Sequence, residues 1–287
     1  MPSERPRTRD LARRLAAGPH ADTRERLAAH VPYLSDIHSP PVPPPSPGPD
    51  GHFRVATYNV HRWTGLAGGR TYAPQRATAV VEELNADVVA LQEALRPFEG
   101  DDPLVGLAER LGFYLAFVCT RLHRRGELGN AVLSRWPIAA AFAVNLTLGR
   151  IEQRSAIAVE LRGAQGPMTI AATHLSLVDR TRARQVDTLL SHPRLAQGPV
   201  VLLGDMNAWS NRSKAAQSLD REFLARHHNA NWPASWPVVR PVLALDRAYA
   251  RGATLEGLCA HQSPAARKGS DHLPVCGTVR LEPGQGC

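Results

Sequence analysis

The sequence is poor in cysteine, lysine and long apolar runs, and each shortage removes a class of function. Its four cysteines, Cys119, Cys259, Cys276 and Cys287, include no CxxC pair. Neither a disulfide framework nor a structural zinc site is therefore indicated, and the apolar surroundings of Cys119 and Cys276 suit burial. No run of about 18 apolar residues exists to span a bilayer. The first residues are charged and lack the apolar core of a secretion signal, so a cytoplasmic location is expected. The only lysines are Lys214 and Lys268, so the formal charge of +8 and the pI of about 9.9 come from arginine. Arginine suits bidentate phosphate contacts. No arginine block is dense enough to mark a nucleic-acid patch, and the excess alone does not indicate DNA. The glycine-rich stretch HRWTGLAGG at 61–69 lacks both GxGxxG spacing and a GK[ST] ending, which excludes a dinucleotide site and a P-loop there.

The chain has 287 residues, of which 43% are hydrophobic, enough for one large layered domain or two small ones. Residues 1–38 are rich in Arg and Ala, with Leu11, Leu15, Leu27, Val31 and Leu34 at partly helical spacing, and predict a helical or partly disordered extension. The stretch SPPVPPPSPGPDG at 39–51 predicts an extended linker, because proline at that density prevents regular hydrogen bonding. From 52 to 282 strand and helix patterns alternate. Strands are expected at 53–60, 86–94, 113–120, 129–138, 143–148, 155–161, 168–176, 200–203, 242–251 and 275–281. Helices are expected at 74–84, 103–111, 180–190 and 211–228, with an irregular segment, NWPASWPVVRP, at 231–241.

The apolar run Pro199 to Leu203 ends in Gly204, Asp205, Met206 and Asn207, and other strand exits carry a lone polar or ionisable residue. Together these exits supply Asn59, Glu93, His174, Asp205, Asn207, Asp246, Asp271 and His272. Carboxylates, amides and histidines without thiolates favour a hard cation, Mg2+ or Mn2+. Such a cation beside carboxylates and imidazoles is what phosphoester hydrolysis needs. Each residue alone has a structural explanation: GDMN as a turn, His174 as a satisfied sheet-edge histidine, Asp271 as a helix cap.

Seven ordered stretches carry a resemblance: TYNVH at 57–61, LQEA at 91–94, GNAVLSRWPI at 129–138, THLS at 173–176, GDMNAW at 204–209, LDRAYARG at 245–252 and SDHLPV at 270–275. They are similar to motifs of the endonuclease/exonuclease/phosphatase superfamily, which includes deoxyribonuclease I, apurinic-site endonucleases, inositol polyphosphate 5-phosphatases and neutral sphingomyelinases. The resemblance implies a four-layer α/β sandwich, two mixed β-sheets packed face to face with outer helices. It implies that Glu93 is the principal metal ligand with Asn59 beside it, and that Asp271 is a second ligand or polar support. Asp205 would orient or deprotonate water, Asn207 would hold phosphoryl oxygens, His174 would face the phosphate, and His272 would do the same with Asp246 as its carboxylate partner. Asn130, Arg154 and Arg247 are further candidate substrate contacts, with Arg247 expected to place an extra cation near the phosphate. His61 and Trp63 are better explained by loop structure and packing. The implied activity is Mg2+- or Mn2+-dependent phosphoester hydrolysis, nuclease-like in the first instance, with a small-molecule or phospholipid substrate as the alternative and a non-catalytic binding module as a third possibility. The expected partner is a phosphate ester, including DNA or RNA; no protein partner is indicated.

Overall fold

A computed structural model describes residues 31–42, 49, 51–67, 71–149, 152–163, 166–223 and 232–281. Strand alternation places the core: along β2 (His52–Asn59), Phe53 and Val55 face one way while Ala56 and Tyr58 face the other, and both sides are buried. The same two-sided burial recurs in β3 (Val88–Pro97), β5 (Gly126–Ser134), β7 (Ser155–Gly163), β8 (Gly166–His174) and β9 (Val200–Asp205). A strand buried on both faces needs a layer above and below it.

Those layers are two sheets and two sets of helices. The larger sheet adds β1 (Tyr33–His38), β4 (Tyr114–His123), β11 (Ala253–Ala260) and β12 (Val275–Leu281), in the order β1-β4-β5-β3-β2-β12-β11. The smaller adds β6 (Ile138–Asn145) and β10 (Asp246–Arg251), in the order β10-β9-β8-β7-β6. Both are mixed, with parallel pairs β2/β3 and β8/β9 among antiparallel ones. Phe53, Val55, Val88, Val132, Ile157, Val159, Val201 and Leu203 form the core between the sheets. Helices α1 (Pro74–Glu83) and α2 (Pro103–Leu111) cover the outer face of the larger sheet. Helices α3 (Asp179–Leu190) and α4 (Lys214–Phe223) cover that of the smaller, and the short α5 (Ala266–Gly269) packs near α1. The four-layer α/β sandwich is the architecture observed. Among the described residues no helix is long and apolar enough to cross a membrane.

Three local expectations change. Residues 33–38 are a strand pairing with β4, not part of a helical extension. Their polar residues are internal partners: Ser35 Oγ donates to both oxygens of buried Glu127, at 3.0 and 2.9 Å, and Asp36 pairs with buried Arg96 at 2.9 Å. The strand expected from 129 begins earlier, at Gly126, which places Asn130 within β5. The helix expected at 211–228 runs from Lys214 to Phe223; residues 224–228, the N-terminal helix over 1–30 and linker residues 43–48 lie outside the described residues.

Candidate active site

The inter-sheet rows of side chains end in polar residues at one end of the sandwich. Ile170 and Ala172 are followed on that face by His174, Val201 and Leu203 by Asp205, and Asp246 precedes Ala248 and Ala250. Register then aligns them: Asp205 is the cross-strand neighbour of His174 on one side and of Asp246 on the other. Across the gap, Asn59 ends the row Phe53, Val55, Thr57, and its Nδ2 donates to Asp205 Oδ2 at 3.0 Å. The other Asp205 oxygen accepts from the Asn207 backbone N–H at 2.9 Å. Gly204 permits this approach of β9 to β8, because a Cβ there would lie 2.0 Å from the Thr173 carbonyl oxygen.

Glu93 reaches the site by breaking the pattern. Strict alternation would send it with Val89 and Leu91 toward the helices. The register of β3 against β5 instead shifts between Leu91 and Ala94, and Glu93 takes φ +51°. Its carboxylate comes 3.9 Å from His174 Nδ1 and 3.3 Å from Arg62 Nε. Asn207 is also left-handed, at φ +47°, and its Nδ2 donates to the Leu175 carbonyl at 2.8 Å. Two functional candidates thus occupy strained backbone, the usual place for it.

The two histidines are held in opposite states. Burial would discharge His272, but its Nδ1 donates to Asp246 Oδ2 at 2.8 Å, and Asp205 and Asp271 add negative potential, so its pKa is pushed up to about 10. His174 is buried beside Arg154, His272 and Arg121, and desolvation with these positive neighbours holds it neutral. Its Nε2 is 3.4 Å from Asp205 Oδ2, while His272 Nε2 is 3.8 Å from the same oxygen. Burial and the nearby Asp246 charge, opposed by His272, raise the Asp205 carboxyl to about 6.

The remaining expected residues separate. Asp271, at the mouth, pairs with His61 Nδ1 at 3.1 Å, and its pKa is lowered to about 2 because His61 and His272 outweigh the cost of burial. Arg154 has one Nη 3.4 Å from His174 Nδ1 and the other on Glu152 at 2.5 Å. Asn130 donates to the Ser155 carbonyl at 2.9 Å and lines a small pocket with Glu93, Arg154 and His174. Trp63 is buried, its indole bonded to the Leu95 carbonyl at 2.8 Å, as packing predicts. Arg247 is a correction. Next to Asp246 in β10, it points to the opposite face, where it is buried against Trp232 and bonded to Asn211 and the Ala244 carbonyl. It therefore offers no cation to the phosphate.

Sequence reasoning missed Ser235, whose Oγ donates to Asp246 Oδ2 at 2.6 Å and accepts from the Asp246 N–H at 3.2 Å. A lone serine in an irregular segment carries no periodic signal. It also missed Ser270, which donates to the Asn59 carbonyl at 2.7 Å. That serine stands inside SDHLPV, so the motif held the clue. Arg62 beside Glu93 and Glu152 beside Arg154 are loop residues with no pattern around them.

A family model described as "Endonuclease/Exonuclease/phosphatase family" matches residues 56–272, from within β2 to His272. The chain belongs to that family. Its members among solved structures include the endonuclease/exonuclease/phosphatase of Beutenbergia cavernae, 25% identical, covering 81% of this chain and 72% of that one at a TM-score of 0.64. The catalytic domain of human Nocturnin with bound sulfate shares the fold at a TM-score of 0.61 and 21% identity, over 81% of this chain and 94% of its own. Among curated sequences, the uncharacterized protein YbhP of Escherichia coli strain K12 is 29% identical over 251 residues, 80% of this chain and 96% of its own. Family membership implies a phosphate-ester substrate. Within this member of the family, Asp205, Asp246 and His272 bring ligand atoms within 4.8 Å of one another, a cluster able to coordinate a divalent metal.

Proposed function

We propose that the protein is a Mg2+- or Mn2+-dependent phosphodiesterase that acts by in-line attack of water, with no covalent enzyme intermediate. The observation that supports this most is the aligned row His174, Asp205, Asp246 with His272 against it. In that row one carboxylate of raised pKa faces a neutral imidazole at 3.4 Å and a charged one at 3.8 Å. Asp205, ionised above about pH 6, takes the proton of the attacking water, and Asn59 and the Asn207 N–H fix its direction. His272 presents positive charge to the phosphoryl group and a proton at Nε2 for the leaving oxygen, and Asp246 and Ser235 fix its tautomer. His174, neutral, contributes a hydrogen bond, and Asn207 and Arg154 border the phosphoryl oxygens.

The donor set is oxygen and nitrogen without thiolate, which fits a hard cation. Glu93 Oε2 is buried without a hydrogen bond, with Arg62 Nε 3.3 Å away, and coordination to a metal would satisfy it. Within the Asp205, Asp246 and His272 cluster the imidazole already donates to Asp246 and is held positive, which opposes a second cation. We therefore assign the metal to Glu93, with Asn59 and Asp271 beside it. When bound, the metal neutralises phosphoryl charge and polarises water or the leaving oxygen.

The test is turnover of a soluble diester, bis-nitrophenyl phosphate, with Mg2+ or Mn2+. Activity should vanish in EDTA, return with either ion, and fall by about 100-fold or more in Glu93→Gln. Turnover that ignores both chelator and substitution refutes the assignment. Nucleic acid, sugar phosphates and phospholipid headgroups all present a phosphoester to this row, and the residues around its mouth discriminate among them.

A further inference from the structure

Among the described residues nine large apolar side chains are exposed, and five of them lie on segments that adjoin site residues. Leu177 and Val178 are 57% and 59% exposed, Trp209 45%, Val239 77% and Val242 64%. They occupy three segments tied to the site. Leu177 and Val178 follow His174 in the loop to α3, and Trp209 follows Asn207. Val239 and Val242 lie on a loop closed by bonds from the Val242 and Leu243 N–H groups to the Trp236 carbonyl at 3.0 and 2.9 Å. That loop is fixed to the site by the Val238 N–H on the Asp271 carbonyl at 2.8 Å. The Trp209 ring packs edge-on against Trp236 at 5.6 Å, which joins the second segment to the third. The first is pinned by Arg182, which donates to the Ser176 and Leu177 carbonyls at 2.8 and 3.1 Å. These side chains are thus presented to solvent by held backbone.

Each segment also carries an exposed arginine: Arg180, Arg212 and Arg240. Among the described residues, none of the three has an ion-pair partner. Exposed aliphatic side chains, a tryptophan and arginines without ion-pair partners on the same three segments match the layers of an anionic bilayer: acyl boundary, headgroup level and phosphate. Single-stranded nucleic acid would call for stacking surfaces, and four of the five residues have no π face. Exposed apolar groups that gather on one surface mark an interaction site.

We propose that this rim docks the enzyme on an anionic phospholipid surface, so that the phosphodiester reaching Asp205 is that of a lipid headgroup; the substrate half of this rests on the hydrolase reading above. In the reaction a water oxygen bonds to phosphorus and its proton passes to Asp205. The bond from phosphorus to one of the two ester oxygens breaks, and the leaving alkoxide takes the His272 proton.

The test uses the full chain in EDTA with vesicles of phosphatidylcholine, alone or with about one third phosphatidylglycerol. Wild type should sediment with the anionic vesicles, and brominated acyl chains should quench its tryptophan emission through Trp209. V239E/V242E should partition at least about tenfold more weakly. With Mg2+ restored, vesicle-lipid hydrolysis normalised to each protein's own soluble-diester turnover should fall in parallel. Absence of sedimentation, unchanged partition in the double variant, or cleavage of duplex DNA with vesicles untouched would each overturn the proposal. Should the double variant fail to fold, bromolipid quenching of wild type decides alone, and no quenching overturns it. Vesicle binding without turnover of the soluble diester would uphold docking and sink the hydrolase reading instead.

Discussion

Replacing Asp246 by asparagine removes the charge that keeps His272 an imidazolium while leaving a side chain of the same size. Burial opposes the charged ring, and Asp246, 2.8 Å from Nδ1, is the largest influence in its favour. A rise from 6.5 to about 10 is on the order of 5 kcal/mol of preference for the protonated ring, at about 1.4 kcal/mol per pH unit. Most of that should go in Asp246→Asn, so His272 is expected to titrate below about 7, followed by its ring proton and carbon resonances. Turnover of a soluble diester at pH 8 should drop by about 100- to 1,000-fold, the usual loss when one preorganised charge is removed from a transition state. Stability carries an independent signature. Because the folded pKa lies above the unfolded one, the pair's contribution is complete below about pH 6.5 and disappears as pH climbs through about 10. Thermal midpoints should therefore decline across that window in wild type and lose that decline in the variant. A variant whose His272 still titrates near 10, or whose turnover is intact, would refute the pairing as the source of the charge.

Asp205→Asn should reduce turnover by about 1,000-fold yet melt at pH 8 no lower than wild type. The carboxyl's folded value is about 6 against an ordinary 3.8, so its ionised form costs stability above about pH 6 that the neutral amide does not. A clearly lower midpoint would contradict this. For the same reason, wild-type turnover should rise through about pH 6 as Asp205 ionises, and a flat profile from pH 5 to 8 would discard it as the base. Arg247→Met should leave turnover near wild type while costing about 1–3 kcal/mol in denaturant unfolding, since Asn211 and the Ala244 carbonyl lose a donor; a large activity loss at full stability would return Arg247 to the site. Gly204→Ala should destabilise by about 4 kcal/mol or more, because the new Cβ meets the Thr173 oxygen at 2.0 Å, and near-normal stability would show that β8 and β9 can part.

What the sequence disclosed follows from strand parity. Val201 and Leu203 point between the sheets, so Asp205 must as well, and the same counting brings in Asn59, His174 and Asp246. Arg247 departs from the expectation that the resemblance placed on it for the same reason: one step along the strand from Asp246 reverses the face. Counting also fails for Glu93, which parity sends to the helices and only a bulge with φ +51° returns to the cleft. Its place at the exit of an apolar run marks it as a candidate, but no local pattern announces a left-handed glutamate. β1 was hidden differently. Ser35 and Asp36 interrupt its apolar residues, and their partners Glu127 and Arg96 are distant in sequence, so a buried polar pairing looked like a helix surface. Ser235 was hidden by both causes, irregular backbone and a remote partner. The candidate row is therefore legible where it extends the core by one repeat. Where the backbone departs from alternation, as at Glu93, Asn207 and Ser235, three-dimensional geometry is needed to show what the departure achieves: a second carboxylate and a fixed histidine at the same end of the cleft.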